Sequence, residues 1–88
     1  MLSLQDCVAL SDLTEEEIAA IAEHEHIPEI VAAELGHYLV HSDRGVPMLK
    51  RMIIDDIESA RRRHDLDHAL KLRLVLHHFI RTHPDSAN

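Results

Sequence analysis

Apolar residues along this chain recur at intervals of three and four, and almost nowhere in the strict alternation of a half-buried strand. No Asn-Gly or Asp-Gly pair offers a tight hairpin. The period predicts helices, and the capping residues place their ends. Ser3, followed three residues later by Asp6, caps a short helix over about 4–10. Thr14 and Glu17 form a capping box, with Leu13 and Ile18 as its hydrophobic staple, so a second helix opens near Glu15 and runs to about Glu25. Glu15, Glu16 and Glu17 fill its first turn, where the positive end of the helix dipole favours acids. Pro28 starts a third helix to about His41, because proline holds φ near the helical value and bars Ile27 before it from helical geometry. Ser42-Asp-Arg-Gly45 reads as a loop, Pro47 opens a fourth helix to about Arg63, and Asp65 caps a fifth over about 66–82. No Gly or Pro separates Pro47 from Pro84, so one long bent helix is the alternative for 47–82. The fold expected is all-α: a compact bundle of four main helices, about 15–25, 28–41, 47–63 and 66–82, plus the short N-terminal one. Residues 1–83 make a single small domain and 84–88 a frayed tail.

The faces of these helices carry more information than their ends. In the third, Val31, Leu35, Tyr38 and Leu39 make a large apolar side, opposed by the small residues Ala32, Ala33, Gly36 and Val40. Glycine costs about 1 kcal/mol against alanine in a helix interior, so Gly36 points to close backbone packing. A helix apolar on two sides is expected to be central. Its remaining stripe, Glu34, His37 and His41, should then be partly enclosed. The fourth helix has a stripe of Met48, Leu49, Met52, Ile53, Ile57 and Ala60 with Asp56 inside it, and a buried Asp needs a hydrogen bond or a cation. The fifth presents Ala69, Leu72, Val75, Leu76, Phe79 and Ile80, extended by Leu66, Leu70 and Leu74. His77, between Ile80 and Leu70, should be partly buried. So much apolar surface on so small a chain predicts a homodimer or larger assembly, with the three leucines at the subunit contact.

Composition narrows the class. At 45% hydrophobic and 28% charged over 88 residues, the chain has enough core residues to fold and is not of disordered type. Its net charge is −7, and it is unevenly spread: residues 1–45 hold ten acids against Arg44 alone. An acidic front half repels nucleic acid and anionic membranes, so neither is an expected partner. Tyr38 and Phe79 are the only aromatics, too few for base stacking. Protonating all nine histidines would move the net charge from −7 to +2. A single Cys7 cannot build a disulfide framework and reads as a small core residue in a reducing compartment. The start lacks a basic, apolar signal segment, and no apolar run approaches the roughly 20 residues of a membrane span. The expectation is a cytoplasmic protein.

Histidine is the compositional anomaly, and it supplies the candidate chemistry. Glu34-Leu-Gly-His37 has the Glu-x-x-His spacing of di-metal carboxylate bundles and resembles the ferritin-like proteins in this fragment alone. His37 and His41, at i and i+4, share a helix face in the manner of a metal-binding pair. His24, His26 and Asp56 are the candidates to complete such a shell, around Zn, Ni or Fe. Each of these also fits a plainer reading: a polar edge for the Glu34 stripe, and a solvated helix end for Glu23-His24-Glu25-His26. His64, His68 and Arg61-Arg-Arg63 fit solvated helix ends as well. The stretch from Ile18 to Leu35 has the spacing of a helix-turn-helix, but its second helix would present Glu29, Glu34 and His37 to phosphate, which is the wrong charge. No Gly-rich phosphate loop, nucleophile elbow or Ser-His-Asp order appears. The function expected is a small acidic, non-catalytic interaction or regulatory module, and the alternative is a metal-binding protein using the Glu34, His37, His41 face.

Overall fold

The computed structural model describes residues 3–84, and among these the chain forms five α-helices and no strand. They are α1 (Leu4–Leu10), α2 (Glu15–Glu25), α3 (Glu29–Val40), α4 (Gly45–Arg62) and α5 (Leu66–Thr82). The all-α bundle expected from the pattern is what forms. Of the expected tail, residues 85–88 lie outside the described part.

The capping residues act where their chemistry places them. Ser3 and Asp6 make a full capping box on α1, and Thr14 and Glu17 make another on α2. Pro28 serves as the N-cap of α3, one position earlier than a first-turn proline. α4 begins two residues before Pro47, at Gly45, and carries the proline in its first turn, where a missing N–H removes no intrahelical bond. The continuous-helix alternative does not occur. His64 takes a left-handed conformation, φ 60°, and the chain reverses there. Its N–H donates to the Arg61 carbonyl at 3.0 Å and that of Asp65 to the Ala60 carbonyl at 2.9 Å, the paired closure of a Schellman end. Asp65 then caps α5 by accepting the His68 N–H.

Asp12, His26 and His64 all hold positive φ without being glycine. A side chain in that region costs about 1 kcal/mol. His64 is exposed, so burial of its ring does little to offset this. Replacing His64 with glycine is therefore expected to stabilise the fold by about 1 kcal/mol, a rise in melting temperature of roughly 4–8 °C, readable by thermal circular dichroism. An unchanged or lower midpoint would show that the reversal is not under strain.

The molecule is flat, with extents of 39 × 34 × 18 Å, about two helix layers thick. Its core joins Leu13, Ile18 and Ile21 to Ala32, Ala33 and Leu39 of α3, Leu49, Ile53 and Ile57 of α4, and Leu72 and Phe79 of α5. α3 is not enclosed on both apolar sides as expected: of its large side only Leu39 is buried. The small residues Ala32, Ala33 and Gly36 are buried, whereas Val31 and Tyr38 are exposed. Shape explains this, because small side chains let helices approach closely and add dispersion contacts along the whole seam. A Cβ on Gly36 would overlap Leu13 Cδ1 and sit 3.0 Å from Ile21 Cδ1. The turn between α1 and α2 is in this way pressed onto the backbone of α3. His77, expected to be partly buried, is exposed at the edge of the groove between α4 and α5, which it lines with Ile54, Ile57 and Ile80.

Candidate functional site

Leu13 against Gly36 has a direct consequence for their neighbours in sequence. Asp12 is brought beside His37, and one turn further along α3 it meets His41. His41 Nε2 lies 3.2 Å from Asp12 Oδ2, and the His37 and His41 rings stand edge to face with centroids 4.7 Å apart. One ligand atom from each of Asp12, His37 and His41 lies within 4.8 Å of the other two. All three side chains are exposed, which corrects the expectation of an enclosed stripe. The stripe lies at the rim because the opposite face of α3 is the one that packs. The Asp12 backbone is tied down from the other side, where its carbonyl is 3.0 Å from His83 Nε2 and the His83 ring stacks on buried Phe79. Glu34 is exposed on the same helix but is not part of this group.

A second cluster joins α2, α4 and α5. His24 Nε2 lies 3.3 Å from Asp55 Oδ2 and its Nδ1 2.7 Å from Glu25 Oε2, while His68 Nε2 lies 2.8 Å from Glu23 Oε1. Asp56 sits within this set, only 6% exposed, and its Oδ2 is buried with no hydrogen-bond partner. Burial, reinforced by the charges of Glu23 and Asp55, pushes its pKa up to about 6 against the pull of His24 and His68. For His24, burial works to lower the pKa, but the hydrogen bonds to Glu25 and Asp55 outweigh it and the net direction is upward. A cavity of about 280 Å³ opens here, and Glu23, His24, Asp55 and Asp56 are among its lining residues. His26 lies at its rim, exposed, as the left-handed residue that ends α2.

The six residues singled out by the sequence thus divide. His37 and His41 come together with Asp12, His24 and Asp56 belong to the second cluster with His26 at the rim of its cavity, and Glu34 stands apart from both. Asp12 was not among them. Helix-face arithmetic relates residues within one helix, and Asp12 is 25 positions from His37 in a different element. Its local signal was its place in the turn just before the Leu13-Thr14 cap. The buried Glu17 carboxylate, by contrast, is accounted for: it accepts the Thr14 N–H at 2.9 Å and pairs with His78 Nδ1 at 3.1 Å.

The third feature is apolar. Leu66, Leu70 and Leu74 are 68%, 59% and 64% exposed in a line along α5, and Ile80 continues beside it. α1 does not cover them. Among the described residues, no helix is long and apolar enough to cross a membrane. Comparison with protein-family models, curated proteins and solved structures gives no match to this chain.

Proposed function

We propose that this protein is a small, non-catalytic helical interaction module that docks through the outward face of α5, and that its partner there is a second copy of the chain. The observation that carries this reading is the exposed line Leu66, Leu70, Leu74. The inward side of the same helix, Ala69, Leu72 and Phe79, is already buried in the core, so α5 is apolar on two opposite sides. A helix of that kind belongs between two partners, and the fold supplies one. Leucines at i, i+4 and i+8 are also symmetric about Leu70. Two antiparallel copies would set Leu66 against Leu74 and Leu70 against itself, the self-complementary arrangement a two-fold interface requires. Arg73, His77 and Arg81 flank the line and would form its solvated rim.

Light scattering is expected to give at least a dimer mass at micromolar concentration, and Leu70→Glu is expected to give a monomer with unchanged helix content. Each leucine buried contributes about 1.5–3 kcal/mol, and a charge at the centre of the stripe would cost more than one such contact. A monomer mass for the wild type at high micromolar concentration would defeat the proposal.

A further inference from the structure

We propose that Asp12, His37 and His41 form a binding site for a divalent first-row metal ion, a role separate from docking through α5. Two imidazoles and a carboxylate are the donor set that Zn, Ni and Fe(II) share. The group is already gathered: its three donor atoms lie within 4.8 Å of one another, and the closest pair, His41 Nε2 and Asp12 Oδ2, is at 3.2 Å. Around a tetrahedral ion with bonds near 2.0–2.1 Å, donors stand about 3.4 Å apart, so that pair is at coordination distance. His37 and Asp12 are exposed, so their side chains are free to turn toward an ion without disturbing the core.

The backbone holds the donors in place. His37 and His41 share one face of α3, one turn apart. Asp12 is fixed by its neighbour Leu13 against Gly36, by its carbonyl contact to His83, and by its left-handed φ of 64°. The Asp12–His41 contact by itself is an exposed surface pairing of little stabilising value, so it is the packing of Leu13 on Gly36 that sets the geometry. Three protein ligands leave at least one coordination position open to water or to a donor from a bound partner.

The test is calorimetric titration of tag-free protein with zinc chloride and, separately, nickel chloride. One equivalent is expected to bind per chain. Asp12→Asn and His37→Ala are each expected to weaken binding at least tenfold, equivalent to about 1.4 kcal/mol. Glu34→Gln and His24→Ala are expected to stay within twofold of wild type, since neither residue belongs to the group. All four positions are exposed or half-exposed, and circular dichroism should show unchanged helix content. Binding unaffected by Asp12→Asn or His37→Ala overturns the proposal. So does a loss in Glu34→Gln as large as in His37→Ala, which would move the site to the α3 stripe, or a loss in His24→Ala, which would move it to the second cluster. Failure here leaves the α5 interface intact, because light scattering reads that separately.

Discussion

Replacing Gly45 with alanine is expected to destabilise the protein by roughly 3 kcal/mol, the upper end of what overpacking usually costs. A Cβ there would overlap the carbonyl carbon and oxygen of Leu39 and lie 2.7 Å from its Cα. These are backbone atoms near the end of α3, and Leu39 is itself buried in the core. No side-chain rotation relieves the clash, so α3 and α4 must move apart or the first turn of α4 must unwind. Gly36 offers the contrast. The atoms its Cβ would meet are the ends of the Leu13 and Ile21 side chains rather than backbone, and alanine brings a helix-propensity gain of about 1 kcal/mol. Gly36→Ala should therefore cost much less than Gly45→Ala. Urea denaturation of both variants makes the comparison directly. A Gly45→Ala midpoint close to wild type would mean that the α3–α4 turn is looser than the structure shows.

The same two glycines mark how far the sequence could be read. Helix ends were legible because caps are local: Thr14 with Glu17, and Asp65 with the His68 N–H, act over three residues whatever the rest of the chain does. Gly45 read as loop because nothing local distinguishes a loop glycine from one pressed on a carbonyl six residues earlier. On α3 the period found two apolar sides correctly but gave them the wrong surroundings. Periodicity reports which residues share a side, whereas the choice of inward side depends on how closely the neighbours can approach. The site was legible to the same degree. His37 and His41 lie on one helix and could be paired by arithmetic, but Asp12 reaches them through Leu13 packing on Gly36, a contact between elements. Asp56 was visible as a carboxylate in an apolar stripe. Its surroundings, drawn from α2, α4 and α5, were not.

Those surroundings give the largest expected dependence on solution conditions. Asp56 is nearly buried, one of its oxygens has no partner, and burial with Glu23 and Asp55 close by raises its pKa from 3.8 to about 6. In the folded state it therefore holds its proton over a range where the unfolded chain has lost it. By linkage the protein loses stability as pH rises from about 4 to 6, and the full cost, roughly 2–3 kcal/mol, is present above that range. His24 acts in the same direction. Its raised pKa contributes stability that is fully present below 6.5 and is lost as pH rises through its folded value. Urea midpoints are thus expected to be higher at pH 5.5 than at pH 8, the reverse of a protein limited by salt-bridged carboxylates. Asp56→Asn removes the buried charge while keeping the shape. It should raise stability at pH 8 by about 2 kcal/mol, change it little at pH 4.5, and flatten most of the profile between them. The part that remains, above pH 6.5, belongs to His24 and should vanish with His24→Gln. A wild-type profile that rises from pH 5.5 to 8, or an Asn variant less stable than wild type at pH 8, would mean that the ionised Asp56 is held by its neighbours rather than tolerated by them.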